Sequence, residues 1–381
     1  LKYRKFGSSE WQSSVLGIGT AGVRLCEDAP ESFEPEASVE MIRLAIDRGI
    51  NYLDLGYPYD LLEHAQIARS LGEALLDGYR GRAKLAVTLP SHLLKSKSDF
   101  DRYLDHQISL LKIDRADFCL FGRLNRETWP ILRRLNALDW AEATIGDGRV
   151  GGIGFSLQDD FQVLRQITGA YDHWCLCQFQ FSYMDMDRDP GIGGIRYAAL
   201  KGMAVVVTEP LKSGRLIEKP PRAIAKIWGD EPERGRLAKW GLRFVWSYPE
   251  VAVAVRDFRS THDLIESADI ADSVELHNLT VQEELLINRV RDEYRKRGCI
   301  PCSSCRPCMP CPEGIDVPRI FEIYNDAFIY EDLKTARLIY LSEQHHAELC
   351  NQCRDCEKRC ARKLKIVDWL EKAHRLLGGS E

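Results

Sequence analysis

No stretch of this chain is both long and apolar enough to cross a bilayer, which argues against a helical membrane span. Charge of one sign is not in excess either: the formal net charge is −5 over 381 residues, giving no general reason to expect a nucleic-acid partner. The first residues, LKYRKFGSSEW, lack the pattern of a secretory signal, so the 13 cysteines are expected as thiols in a reducing cytoplasm. No glycine-rich dinucleotide fingerprint follows the first strand-like run, which counts against a doubly wound sheet. With 45% hydrophobic and 29% charged residues, the chain can build one large core and a second module.

Apolar runs of strand length recur: SVLGIGT, INYLDLG, KLAVTL, DFCLFG, VGGIGFS, HWCLCQFQF, GMAVVVTEP and VAVAV. Between them lie segments with apolar residues at helical spacing, such as ASVEMIRLAIDRG and DRYLDHQISLLKI. Eight strands alternating with helices predict an α/β fold, a (β/α)8 TIM barrel over residues 1–275. After Ser273 the rhythm changes. TVQEELLINRVRDEYRKRG reads as one charged amphipathic helix, VPRIFEIYNDAFIYEDLKTARLIYL also reads as helical, and no strand-like run follows. Residues 276–381 are therefore expected to form a small, mainly helical domain.

That domain holds two cysteine runs, CIPCSSCRPCMPCP from Cys299 and CNQCRDCEKRC from Cys350. Each has a Cys-x2-Cys-x2-Cys triplet followed by a further cysteine, the interleaved pattern of paired iron–sulfur clusters. By that crossed logic one [4Fe-4S] cluster takes Cys302, Cys305, Cys308 and Cys360, and the other takes Cys350, Cys353, Cys356 and Cys311. Zinc sites usually combine two close pairs, often with histidine, and neighbouring cysteines this close cannot staple a fold as disulfides. Cys299 is left over. The spacing departs from the usual ferredoxin pattern in a Cys308 to Cys311 gap one residue short, and in Ala361 where a proline would follow Cys360. Such a module would depend on its clusters for order. Lys358, Arg359, Arg362, Lys363 and Lys365 crowd the same region, either as a solvated face or as a docking patch for an acidic redox partner protein.

LGIGTAGVRL from Leu16, GINYLDLGYPY from Gly49, GIGFS from Gly152, CQFQFSYMD from Cys177 and TEPLKSGRL from Thr208 fall in the order shown by the aldo/keto reductase family, which the barrel resembles. CSSCRPCMPCPEGIDVP from Cys302 is similar to the cluster motif of its ferredoxin-fused branch, so the resemblance covers nearly the whole chain. It implies an oxidoreductase that reduces carbonyls with NADP(H) through Asp, Tyr, Lys and His at the C-terminal mouth of the barrel. The Asp falls on Asp54 and the Tyr on Tyr59, whereas Leu89 and Gly122 stand where the Lys and His are expected. Without a cation to ease ionisation of the phenol, ordinary carbonyl reduction should be slow. Arg123 and His92 lie close enough in sequence to serve as substitutes, and Tyr57 supplies a second phenol.

The same resemblance assigns Ser156, Gln178 and Ser182 to the nicotinamide amide, Pro210, Leu211 and Ser213 to the pyrophosphate strap, and Arg259 and Ser260 to the adenosine phosphate. Asp257 and Ser267 depart from the residues usual there. Cys175 and Cys177 read as packing residues, Cys26 lies on the first βα loop, and His345 and His346 precede Cys350. The leading expectation is a small-molecule redox enzyme coupling the barrel mouth to the clusters. The alternatives are an electron-transfer or assembly subunit with an inert barrel, and a non-redox lyase or dehydratase using Asp54 and Tyr59.

Overall fold

The computed structural model describes residues 1–20, 34–58, 61–186, 190–229, 234–273, 275–276, 279–343 and 347–379. A short antiparallel hairpin, β1 (Tyr3–Lys5) and β2 (Gln12–Ser14), precedes eight parallel strands. These are β3 (Leu16–Gly19), β4 (Tyr52–Asp54), β5 (Lys84–Leu89), β6 (Ala116–Leu124), β7 (Val150–Leu157), β8 (Leu176–Gln180), β9 (Ala204–Thr208) and β10 (Val251–Asp257). They pair in chain order, and β10 closes on β3, completing a (β/α)8 TIM barrel. Each strand is covered on both faces, so it reads as a near-continuous apolar run. Local sequence sets the helix ends. Ser96 and Asp99 form a reciprocal cap at the start of helix Lys97–Leu111, and Lys112 ends it in the left-handed conformation at φ 52°.

The hairpin, which the polar triplets YRK and QSS gave no sequence signal for, belongs to the floor of the barrel. Phe6 stacks on Phe118 at 5.0 Å and meets Trp11 edge-on at 5.1 Å, within the apolar cluster of Tyr52, Leu120, Leu176 and Val206. The Arg4 guanidinium donates to the carbonyls of Trp246, Tyr248 and Val251 at 2.5, 2.8 and 2.7 Å. With the N-terminal end filled, chemistry is left to the C-terminal rim, where barrels of this kind place it.

The chain divides into two compact units: Leu1–Ile217 with Glu233–Leu279, and Glu218–Pro232 with Thr280–Glu381. The sequence boundary at 275/276 had kept 218–232 in the barrel. Helix Arg222–Trp228 instead packs on helix Val281–Arg295, which opens with the Thr280–Glu283 capping box. The second unit also holds helices Val317–Ile329, Leu333–Ser342 and Ile366–Leu377, around Val317, Phe321, Tyr324, Tyr340 and Leu370. The stretch 317–341, read as helical, is divided between two helices. Glu331 takes φ 54° between them and Asp332 caps the second by accepting from the Thr335 N–H. Among the described residues no strand follows Asp257.

Candidate functional sites

In the barrel, Gly19, Asp54 and Asp257 are register partners and lie side by side at the C-terminal rim. Asp54 is 3% exposed, and burial raises its carboxyl pKa above the ordinary value. Two donors oppose that shift: the Gly56 N–H reaches Oδ1 at 2.8 Å, and Gln178 Nε2 reaches Oδ2 at 2.5 Å. Gln178, expected at a nicotinamide amide, is therefore turned toward Asp54 across the barrel. A carboxyl so placed can exchange a proton nearer neutrality than a solvated one.

Leu89 and Gly122 close β5 and approach the end of β6, so neither position offers a cation. His92 and Arg123 stand nearby instead. His92 Nδ1 is hydrogen-bonded to the Tyr57 hydroxyl, and the Arg123 guanidinium lies 5.5 Å from the Tyr57 ring centroid. Burial, and next the Arg123 charge, lower the His92 pKa. Ser156 Oγ accepts from the Arg123 N–H at 2.7 Å, so this second amide-holding candidate positions Arg123. Tyr59 lies outside the described residues, as do Cys26, His345 and His346.

The third such candidate, Ser182, is fully buried and gives both its N–H and its hydroxyl to Asp185 Oδ2, at 3.0 and 2.7 Å. The other Asp185 oxygen takes Lys212 Nζ at 2.6 Å, forming a buried cluster for which the sequence gave no signal. In the strap, Pro210 and Leu211 are buried, and Leu211 packs over Gly241, so any ligand contact there falls to the backbone. Ser213 is exposed, its hydroxyl donating to Glu209 at 2.7 Å and its carbonyl accepting from Arg259 at 2.8 Å. Ser260 accepts from the Asp263 N–H at 3.1 Å as a helix cap, while Ser267 is buried against Arg256.

These contacts bear on an NADP(H) site. Arg259 and the strap suit phosphates, because an exposed guanidinium and turning backbone face solvent. At the nicotinamide end, Gln178 and Ser182 bond Asp54 and Asp185. Asp257 and Glu209 add carboxylates beside the residues that the resemblance assigns to the phosphates.

In the second unit the thiols gather into two groups. One pocket is lined by Cys302, Cys305, Cys308 and Cys360 with Arg306 and Arg362. Another is lined by Cys311, Cys350, Cys353 and Cys356 with Arg354 and Arg359. Val317, 1% exposed, lines both. Cys299 is exposed and borders neither. Among the described residues no three His, Cys, Asp or Glu side chains close on a single metal-ion position. Four thiols line a pocket in each case.

The two triplets share one backbone form. Ser304 and Arg306 in the first run, and Gln352 and Arg354 in the second, all take positive φ, at 53°, 61°, 61° and 58°. Those positions are equivalent within Cys-x2-Cys-x2-Cys, and the repeated Cys-Arg pair is the sequence sign of it. Backbone N–H groups approach sulfur at Cys302, from Ser304 at 3.4 Å, and at Cys360, from Leu364 at 3.5 Å. Arg359 ties the runs together by donating to the carbonyls of Cys308, Met309 and Pro310 at 3.0, 2.9 and 3.1 Å. Burial raises the thiol pKa of Cys302 and Cys356, and that of Cys308 to about 11, so a cationic centre is needed to hold them as thiolates.

No curated protein sequence matches the chain. Solved structures do match its fold. The aldo-keto reductase AKR11C1 from Bacillus halodurans, in its holo form, aligns with a TM-score of 0.61 at 17% identity, covering 76% of this chain and 96% of that one. An aldo-keto reductase from Klebsiella pneumoniae in complex with NADPH gives 0.59 at 17% identity, over 76% and 95%. Residues 15–277 match the sequence profile of the aldo/keto reductase family. With that match extending over more than half the chain and a closed eight-stranded barrel beneath it, this protein belongs to the aldo/keto reductase family.

Proposed function

We propose that the chain is an iron–sulfur oxidoreductase of the ferredoxin-fused branch of this family, with a degenerate catalytic tetrad and two [4Fe-4S] clusters. The observation that carries this reading is the sorting of eight cysteines into two cavities, each lined by one triplet and the outlying cysteine of the other run. Each pocket is lined by four cysteines in a triplet-plus-one set and by no histidine, which suits a cubane better than the close Cys/His pairs usual for zinc. When bound, such clusters supply one-electron transfer. The protein's own part is to hold the thiolates, direct N–H groups at sulfur and keep arginines beside the resulting negative charge.

In the barrel mouth a small-molecule substrate would meet Asp54, His92 and Arg123, with Tyr59 as the phenol that the resemblance assigns. NADP(H) would be the hydride donor that the resemblance implies, and Gln178 and Ser182 would have to turn from Asp54 and Asp185 to hold its amide. A redox partner protein would dock where Arg362, Lys363 and Lys365 are exposed; Lys358 pairs with Asp355 at 2.8 Å and Arg359 is turned to backbone carbonyls. Cytoplasmic surroundings, reducing and poor in oxygen, suit thiolate-held clusters. The acid–base lyase reading draws support from the raised pKa of Asp54.

Anaerobic isolation followed by metal and sulfide analysis, electron paramagnetic resonance and titration with NADPH tests the proposal. Expected are about eight irons and as many sulfides per chain, with spectra of two interacting cubanes after reduction. Zinc, or no metal, would end it. Cluster bleaching by NADPH would separate a nicotinamide-linked enzyme from one fed by another donor.

A further inference from the structure

Gly122 stands where the resemblance expects a histidine, and the space that a side chain would fill there is taken by Tyr57. A Cβ built on Gly122 would lie 2.5 Å from both Cδ2 and Cε2 of Tyr57 and 2.6 Å from Thr88 Cγ2. Carbon atoms normally approach to about 3.5–4.0 Å, so glycine is what lets the ring lie across β6. The Tyr57 hydroxyl is hydrogen-bonded to His92 Nδ1, the two rings are 5.7 Å apart, and Arg123 lies over the phenol. Arg123 is itself fixed. Its backbone sits at φ 53°, its N–H donates to Ser156, and its Nε donates to Gln158 Oε1 at 2.6 Å. Groups from the connections after β4 and after β5 and from strand β6 itself thus converge at the rim.

We propose that Tyr57 and His92 are the proton-transfer pair of the barrel mouth, with Arg123 as the adjoining cation, acting on a compound that bears a hydroxyl or carbonyl oxygen. This rests on the reading of the mouth as a reaction site, and it replaces Tyr59 by Tyr57 as the phenol. As the Tyr57 oxygen takes a proton from a substrate hydroxyl, its own proton passes to His92 Nδ1. The substrate O–H bond breaks, one O–H bond at Tyr57 is exchanged for another, and an N–H bond forms on the imidazole. The imidazolium returns to neutral by releasing one proton to solvent and returning to the Nε2–H tautomer, whose Nδ1 can accept again. Run backward, the sequence protonates a substrate oxygen, and no electrons move in either direction. His92 enters neutral, because burial and the Arg123 charge disfavour its cation, which leaves Nδ1 free to accept. The guanidinium over the ring favours negative charge developing on the phenol oxygen as the two protons move.

The test uses the full chain, prepared anaerobically with ¹⁵N-labelled histidine, and follows the His92 titration by NMR in wild type, Tyr57→Phe, Gly122→Ala and Arg123→Gln. The His92 midpoint should rise in all three variants. Tyr57→Phe removes the donor that favours neutral imidazole, Gly122→Ala displaces the ring, and Arg123→Gln removes the like charge. In parallel, NADPH-dependent reduction of 4-nitrobenzaldehyde is compared in Tyr57→Phe and Tyr59→Phe. The first should lose about 10²–10⁴-fold in kcat, the range of general acid–base catalysis, and the second only severalfold. A His92 titration unchanged by Tyr57→Phe overturns the proposal, as does turnover that survives Tyr57→Phe and fails in Tyr59→Phe. Should the wild type not turn over the aldehyde, that result counts against the reading of the mouth as a carbonyl site, while the titration still decides the pair.

Discussion

Arg359 offers the most direct test of how the two cysteine runs are held in their crossed arrangement. Its guanidinium donates three hydrogen bonds to the carbonyls of Cys308, Met309 and Pro310, residues about fifty positions earlier in the chain. A hydrogen bond to a charged group contributes about 1.5–3 kcal/mol when sheltered. Only the bond to the Cys308 carbonyl is partly buried, which keeps it at the low end of that range, ~1.5 kcal/mol, and the two exposed ones exchange with water at a net value nearer ~0.5 kcal/mol each. Arg359→Ala should therefore destabilise the second unit by about 2–3 kcal/mol, a factor of roughly 30 to 150 in its opening equilibrium. For a unit of this size that corresponds to a fall of ~8–12 °C in its melting temperature. The assay is anaerobic iron loss to a chelator, followed by visible absorbance, beside calorimetry of the same samples. Arg359→Lys should recover little, since an ammonium lacks the planar fork that spans three carbonyls. Iron loss and melting at wild-type values in Arg359→Ala would refute the reasoning.

Cys305→Ser should lower iron content by about half, because it removes one thiol from a single cavity. Cys299→Ser should leave iron unchanged, since Cys299 borders neither cavity; the opposite pattern in metal analysis would reassign the ligand sets. His64, 7% exposed on helix Leu61–Ala74, has its pKa pushed down to about 4, chiefly by burial. Between its ordinary 6.5 and about 4, the unfolded chain takes up a proton that the folded one refuses, so stability is full above that window and falls as the pH drops through it. The loss should approach roughly 3 kcal/mol, and His64→Asn should flatten the dependence of the urea midpoint on pH across the same window.

Most of the barrel was legible in the sequence because its strands are buried on both faces. VVV at 205–207 and VAVAV at 251–255 have no reason to be apolar throughout unless helices cover one side and a packed interior the other. The crossed grouping of the cysteines could likewise be written from spacing, since residues three apart in a turning loop can face one point. The hairpin could not, because three-residue strands of polar composition carry no periodicity. Nor could the break at Glu331 within an apolar pattern that runs on in helical register.

Composition and spacing by themselves determined that this chain would close a β/α ring and that its tail would gather thiols in two interleaved sets, because both follow from local periodicity. Only the tertiary structure decided what the rim contains. Tyr57 lies against Gly122, sixty-five positions away, Gln178 turns to Asp54, and Ser182 turns to Asp185. Which side chain fills a space that another leaves open depends on how strands distant in sequence are set side by side, and the sequence does not write that distance down.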